Sequence, residues 1–574
     1  MDKKRGGVWS VLNKNNSSKR DWSVFLKDEN CNDLTDVANN FRAHFQDKIK
    51  KLHTPAQADH LIEVVSENYE STLLWDLSGC TSTEVLAAID KLRPTLSRGS
   101  DQIPNRLLKE LKFEIVEPLT YIFNRSIQEG VFPACWKIGT ILPIYKKGSR
   151  STYANYRPVC LMSNLGKLLE AVVQEKFIIH LEKTLPQNIY GFRPGRGTQD
   201  AVCNVLDNIH KLRANGKFVA VLGFDASSAF DLLQHDVIIQ SLEAIRVGPA
   251  MMKWMKSFLE GCLVHVDIDG HKSSPWPVDV GVGQGRKLSP NLYNLGTLSQ
   301  AILAIYSIFT GYADDSIDVV YGDTKVDCEK NILLTINQRV QWYRDIGLAL
   351  NEGKTEFMGC GFTPDPIEIN GTTINPSKKI TFLGSIIEAN LKLDEQTTKT
   401  CSKLRQAAAR IRIEGRHFDV KDRRILFNSW AIGALQHNAL AYLPNLSISN
   451  KSSIEVAYNA GIRSVIGLPK YGPAPISKLR KELKLPSVDD VTEKTLLVSA
   501  WKCLRNPQSN SLLEGPTTRG RSQKNLPHPE QKGHWGKTTE SHLIKAWNRL
   551  PLYLKEEDNI RKVRYNVKKM LLSH

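Results

Sequence analysis

Between Ser82 and Gly361 the chain alternates helical stretches with short β-rich runs, and this alternation restricts the fold more than any other feature. "STEVLAAIDKL" and "KLLEAVVQEKFIIHLEKTL" space their apolar residues as helices do. "FVAVLGFD", "VHVDIDG", "PVDVGVG" and "DVVYG" read as strands. Interleaved in this way, they predict a mixed α/β (α+β) class. Before this region "LTDVANNFRAHFQDKIKKL" has helical spacing. Beyond "ITFLGSII" the pattern turns helical and basic, in "QTTKTCSKLRQAAARIRI" and "KDRRILFNSWAIGALQ". The stretch from Asn506 to Glu540, rich in Pro, Gly, Ser, Thr and charge, reads as a mobile basic linker, and "SHLIKAWNRLPLYL" as a closing amphipathic segment.

Lys and Arg number 77 against 60 Asp and Glu, so the net charge is 77 − 60 = +17. A balance this basic points to an anionic polymer as partner. The 10 cysteines are scattered, with no C-x-x-C pair, which argues against zinc knuckles and a disulfide framework. The N-terminus is too polar for a secretory signal, and no apolar run approaches the roughly 18 residues needed to span a bilayer. The expectation is a protein of nucleus and cytoplasm with no membrane partner.

"IFTGYADDSIDVV" sets Asp314 and Asp315 between two apolar runs, the pattern of a hairpin whose turn carries acids. Asp is at home in turns, so a solvated loop is the ordinary reading. A metal site is the other, because neighbouring carboxylates repel and a divalent cation relieves them. A third carboxylate, Asp225, closes the apolar run of "KFVAVLGFDASSAFDLLQHD". A strand-end acid beside a hairpin carrying two more is a common way to assemble a two-metal phosphoryl-transfer centre. Asp231 and Asp318 are expected to be structural or solvated.

The order and company of these motifs carry a resemblance. "FDASSAFD", "GVGQGRKLSPNLYN", "YADD", "LNEGKTEFM" and "FLG" follow one another as the palm motifs of reverse transcriptases do, in the form found in LINE-type (non-LTR) retrotransposons. Upstream, "SRGSDQIPNRLLKEL", "VFPACWKIGTILPIYKKGS", "NYRPVCLMSNLGKLLE" and "YGFRPGRGTQDAV" resemble the fingers motifs of the same family, in the same order. The similarity is dense over roughly residues 80 to 390. "LTDVANNFRAHF" and "AWNRLPLYL" resemble the flanks of these elements more loosely.

The resemblance implies a right-hand polymerase fold: a helical N-terminal extension over 1–80, fingers and palm over 81–388, a helical thumb and connector over 389–505, and a basic linker with a C-terminal helical segment over 506–574. It implies RNA-templated DNA synthesis by two-metal nucleotidyl transfer from dNTPs, on an RNA template with a DNA primer or nicked target DNA. Asp225, Asp314 and Asp315 would hold Mg²⁺, or Mn²⁺ in its place. Lys146 and Arg157 match residues that hold the incoming triphosphate, for which an ammonium and a guanidinium fork are suited. Lys354 matches a lysine that protonates the leaving pyrophosphate, with a simple salt bridge as the other reading. Gln284 and Gly285 match the segment under the nascent base pair, and Phe230 the steric gate against a 2′-hydroxyl. Basic thumb helices would grip an RNA–DNA hybrid.

Two departures stand out: Gly283 replaces the family's Pro, and Arg286 its Ser. The expectation is a looser loop, with added bulk and charge beside template and nucleotide. They support the rival reading, a decayed or co-opted non-catalytic nucleic-acid-binding protein. A viral RNA-dependent RNA polymerase is a weaker rival, since those usually carry Gly rather than Ala before the Asp pair. No segment resembles the family's endonucleases, so the chain is expected not to nick DNA by itself and could be a fragment of a longer reading frame.

Overall fold

The computed structural model describes residues 22–26, 31–69, 74–469, 474–505, 526 and 533–572. The expected linker lies outside the described residues except for Leu526 and residues 533–540, as does the polar N-terminus up to residue 21.

Helix α1 (Leu34–Leu52) starts where the Asp33 carboxylate accepts the N–H groups of Thr35 and Asp36. Its stripe of Val37, Ala38, Phe41 and Phe45 is buried. Helix α2 (Ser82–Lys91) opens on a capping box formed by Thr81 and Glu84. Strands β1 (Ile138–Tyr145) and β2 (Tyr156–Leu161) pair antiparallel. Helices α3 (Asn164–Thr184) and α4 (Thr198–Ala214) lead to β3 (Phe218–Ser227). After α5 (Pro249–Leu259), β4 (Leu263–Ile268) joins β1 in parallel. Helix α6 (Ser289–Gly296) precedes the hairpin of β5 (Ser307–Tyr312) and β6 (Asp315–Gly322). There follow α7 (Lys325–Asp345), β7 (Ala349–Leu350), β8 (Glu356–Cys360), and the hairpin of β9 (Lys379–Phe382) and β10 (Ser385–Glu388). The C-terminal part is helical: α8 (Asp394–Ile413), α9 (Ile448–Val465), α10 (Val488–Arg505), α11 (Thr539–Arg549) and α12 (Ile560–Leu572).

The first sheet orders β2-β1-β4 and is covered by α1: Trp22, Phe25, Phe41 and Phe45 share a core with Ile141, Tyr156, Val264 and Val266. The second sheet orders β8-β3-β6-β5, antiparallel throughout, with β7 beside the end of β3. Both faces of β3 are buried, which is why it reads as a near-continuous apolar run. Ala220, Leu222, Phe224 and Ala226 face a core built with α3, α5, α6 and α7. Val219 and Val221 face a second core built with α4, α10, α11 and α12. The closing amphipathic segment thus covers the back of this sheet. A separate core holds α8 and α9 together with the start of α10.

One expected strand is absent. Of "PVDVGVG" only Pro277 belongs to a strand, the two-residue Trp276–Pro277 paired with β4, and residues 278–283 form a loop. Gly281 and Gly283 sit at φ +89° and +64°, a left-handed backbone that a strand cannot contain. Among the described residues no helix is long and apolar enough to cross a membrane.

Candidate active site

β5 and β6 are joined by the two-residue turn Ala313-Asp314, closed by the pair Tyr312 and Asp315. Ala313 takes φ +56°, a conformation costing a non-glycine residue on the order of 1 kcal/mol. The outer edge of β5 is braced there: Tyr190 N–H donates to the Gly311 carbonyl at 2.8 Å, and Gly311 N–H to that of Asn188 at 2.9 Å. Asp225 lies on β3 directly opposite Asp315 in antiparallel register. The Cβ atoms of such a pair stand about 4.5–5.5 Å apart. Asp314, exposed on the adjoining turn, lies at the same end of the sheet. Burial, then the charges of Asp314 and Asp225, push the Asp315 carboxyl up to about 6, with Lys354 pulling the other way.

Lys354 ends a short 3-10 turn between β7 and β8, and its Nζ stands 2.6 Å from Asp225 Oδ2. Asn351 donates to the same oxygen through Nδ2 at 3.3 Å, and through its backbone N–H to the Asp225 carbonyl at 2.9 Å. Of the two readings of Lys354, the salt bridge is the contact observed. The Lys354 side chain is 58% exposed and that of Asp225 19%, so the pair lies at the surface end of the sheet, where screening keeps it weak. Among the described residues no three His, Cys, Asp or Glu side chains converge closely enough to hold an ion. The acids are neighbours by backbone register, with Lys354 on Asp225. The donor set is all oxygen and doubly repulsive, which fits a hard divalent cation such as Mg²⁺ or Mn²⁺.

Lys146 and Arg157 come from the first sheet. Lys146, exposed just beyond β1, is fixed by its N–H to the Asn155 carbonyl at 2.7 Å. Arg157 is exposed on β2, paired in register with Ile144. Burial first, then the charges of Arg157, Lys354, Lys147 and Lys48, press the Lys146 pKa down. Cations from both sheets therefore feel one another, and a polyanion between them would relieve the repulsion.

The loop after Gly281 joins the two sheets. Val282 N–H donates to the Phe230 carbonyl at 2.9 Å, and Cys160 N–H of β2 to the Gln284 carbonyl at 2.8 Å. Gly285 has φ +123°, and a Cβ there would lie 2.2 Å from the Cys160 carbonyl oxygen, so only glycine fits. The left-handed φ of Gly283 is closed to proline, so the first departure from the family motif is a change of loop conformation. The second departure, Arg286, lines a cavity beside Gln284 and bends its guanidinium toward the end of α5, donating from Nη1 to the Phe258 carbonyl at 3.2 Å and from Nη2 to Cys262 Sγ at 2.8 Å. Phe258 and Cys262 lie at the C-terminal end of α5, where carbonyls are free and the helix dipole is negative, which draws the guanidinium in.

Phe230 stacks on Tyr293 of α6, ring centroids 4.5 Å apart and planes at 13°, and meets the edge of Phe192 at 5.9 Å. Asp318 is structural: its fully buried carboxylate takes two bonds from the equally buried Arg339, at 2.8 and 2.7 Å. Asp231 lines a cavity of about 650 Å³ between α1, the first sheet and the loop, together with Lys48, Tyr156, Trp276 and Gln284. Burial pushes its carboxyl up to about 6. Two residues of the site went unread in the sequence: Asn351 and Tyr293. Asn351 and Tyr293 fall inside "LNEGKTEFM" and "SPNLYN", where their closeness to a recognised residue was the available signal.

Residues 144–387 match the family described as "Reverse transcriptase (RNA-dependent DNA polymerase)". This part of the chain is a reverse transcriptase domain. It contains Asp225, Asp314, Asp315 and Lys354 together with Lys146, Arg157 and the 281–288 loop. The chain is 26% identical over 385 residues to the RNA-directed DNA polymerase from mobile element jockey of Drosophila melanogaster, covering 64% of this chain and 42% of that one. It is 22% identical over 475 residues to its counterpart in Drosophila funebris, covering 80% and 52%. Identity is 25% over 430 residues to the probable RNA-directed DNA polymerase from transposon BS of Drosophila melanogaster, covering 71% and 46%. These relatives belong to non-LTR retrotransposons, and the chain spans about half of their length. Among solved structures, apo telomerase from Candida tropicalis truncated from its C-terminal domain aligns with a TM-score of 0.32 at 16% identity, over 51% of this chain and 60% of that one. The mixed helix and sheet content of the reverse transcriptase domain is that of a right-hand polymerase.

Proposed function

We propose that the chain is an RNA-directed DNA polymerase of a non-LTR retrotransposon, adding dNTPs to the 3′-hydroxyl of a DNA primer or nicked target on an RNA template. The observation that carries the proposal is the register of β3 on β6, which sets Asp225 opposite Asp315 with Asp314 on the adjoining turn. These three would hold Mg²⁺ or Mn²⁺. When bound, the metals lower the pKa of the attacking hydroxyl and neutralise the triphosphate. The chain's own groups do the rest. Lys146 and Arg157 grip phosphate oxygens from the fingers side, as point charge and fork. Lys354, exchanging Asp225 for phosphate, presents an ammonium to the leaving pyrophosphate. Phe230, backed by Tyr293, faces the sugar, and the loop at Gln284 and Gly285 supports the new base pair. The cavity with Lys48, Tyr156 and Trp276 suits single-stranded template ahead of that pair, combining charge with stacking surfaces. Exposed Lys403, Arg405, Arg410 and Arg412 on α8 offer a basic edge to the duplex behind it. In this reading the protein meets its RNA in the cytoplasm and its target DNA in the nucleus.

Primer extension by the purified chain on an RNA template, with dNTPs and Mg²⁺, is the test. Templated DNA synthesis that EDTA abolishes is the expected result. Primer–template binding without synthesis would favour the non-catalytic reading.

A further inference from the structure

The loop from Gly281 to Leu288 is held from four directions. Its start hangs on the gate segment, through Gly281 N–H to the Leu233 carbonyl at 3.0 Å and Val282 N–H to that of Phe230 at 2.9 Å. Its middle is bonded to β2 by Cys160 N–H to the Gln284 carbonyl at 2.8 Å. Its end is held by α3, where Glu170, 1% exposed, accepts the N–H groups of Lys287 at 2.6 Å and Leu288 at 3.1 Å. The fourth tie is Arg286, bonded to the Phe258 carbonyl and Cys262 Sγ, with its guanidinium carbon 4.6 Å from the centre of the Phe258 ring.

Arg286 also answers a charge. Burial drives the Glu170 carboxyl up, and the nearby Arg286 guanidinium is the foremost influence bringing it back. A serine at 286 would leave the Phe258 carbonyl, the Cys262 sulfur and the Glu170 carboxylate each without that cation, with Lys167 the weaker charge still facing Glu170. A buried carboxylate that loses its main compensating charge is costly, and the N–H groups it holds belong to the loop.

We propose that Arg286 is a positioning residue, tying the loop between the gate segment and β2 to the end of α5 so that Gln284 and Gly285 stay in place under the forming base pair. The role rests on the polymerase reading, and it assigns Arg286 an effect on nucleotide binding and sugar choice rather than on the chemical step. The left-handed Gly283 removes the stiffness a proline would give, and Arg286 restores it by side-chain anchorage.

The test compares wild type, Arg286→Ser and Arg286→Lys as full chains on an RNA template and DNA primer. For Arg286→Ser the KM for dNTP should rise about ten-fold while kcat stays within about three-fold. Ribonucleotide incorporation relative to deoxyribonucleotide should rise, and Arg286→Lys should recover part of both effects. Hydrogen exchange reads the same proposal without activity: in Arg286→Ser the amides of Cys160, Val282 and Leu288 should exchange about ten-fold faster or more. Unchanged exchange at those amides overturns the anchorage. Faster exchange with KM and sugar choice within about two-fold of wild type overturns the positioning role. If wild type itself extends no primer, the polymerase reading fails, while exchange still decides whether Arg286 anchors the loop. If Arg286→Ser does not fold, Arg286→Lys carries the test, and exchange and KM identical to wild type would defeat the need for a fork.

Discussion

Asp225 and Asp315 stand directly opposite each other across β3 and β6, and the Lys354 amine closes on Asp225 at 2.6 Å. Like charges placed opposite in a sheet oppose folding. The register is nevertheless enforced by the apolar residues behind it, Val219, Val221, Val319 and Val320, all fully buried. Both faces are packed, and a one-residue slip would exchange the side chains of the two cores and part Asp318 from Arg339, so packing fixes the position of the acids.

Asp314→Asn tests the metal assignment. Asp314 is exposed on the turn and supports no packing, so the change should leave the fold and primer–template affinity close to wild type. Loss of one ligand charge should lower extension by about 100-fold or more. Both quantities are read on one preparation, by fluorescence anisotropy and by primer extension. Extension near the wild-type rate would remove Asp314 from the site.

Asp318→Asn should behave in the opposite way, although Asp318 lies four residues further along the same hairpin. It would leave Arg339 buried with its partner's charge gone, at a cost of about 3–5 kcal/mol. Denaturant unfolding measures this. A variant as stable as wild type would mean that the pair contributes little to holding α7 on the sheet.

The contrast between these two aspartates shows what could be read from the sequence. The hairpin, its acidic turn and the apolar strand bearing Asp225 were legible because local composition and period determine them. Whether Asp318 is solvated or structural was not, since its partner Arg339 is 21 residues away and meets it only when α7 folds onto β6. The anchorage of Arg286 was hidden for the same reason: Phe258 and Cys262 lie 28 and 24 residues before it. "PVDVGVG" has the alternation of a strand, and only the left-handed φ of its glycines makes it a loop. Packing of the C-terminal helices on the second sheet is a tertiary fact with no local signature.

Asp207 on α4 tests that packing through pH. It is 6% exposed, and its Oδ1 accepts the Thr539 N–H at 2.6 Å where α11 begins. Burial pushes its carboxyl up to about 7. A folded pKa above the unfolded value of about 3.9 gives a contribution that is full below about pH 4 and lost as pH rises through about 7. Nearby His210, pushed down to about 3 by burial, works the other way, its contribution present above about pH 6.5 and lost as pH falls. Asp207→Asn keeps an acceptor for Thr539 and removes only the charge. It should stabilise the protein by on the order of 1–3 kcal/mol at pH 8 and by almost nothing at pH 4. Thermal unfolding at the two pH values decides, and an equal gain at both would exclude charge as the cause.

Phe230→Val addresses the sugar. The ring is half-buried, stacked on Tyr293 and edged by Phe192, with its backbone carbonyl tied to the loop through Val282. As a steric gate it would deny room to a 2′-hydroxyl; as a packing residue it would only fill the space beside Tyr293. Stability cannot separate these roles, since removing most of a packed aromatic ring costs a few kcal/mol, about 3–5 for truncation to Ala, in either case. Sugar choice can. If the ring is the gate, the variant should accept ribonucleotides at least about ten-fold better relative to deoxyribonucleotides than wild type does, while still using dNTPs, because the discriminating clash is gone. The measurement is competitive incorporation of a matched rNTP and dNTP on an RNA template, with melting curves confirming that the variant is folded. An RNA-copying RNA polymerase would take rNTPs before any substitution, so the wild-type ratio tests the substrate class and the variant's ratio tests the residue. Unchanged selectivity in a folded, active Phe230→Val protein would leave Phe230 a packing residue and move the gate elsewhere.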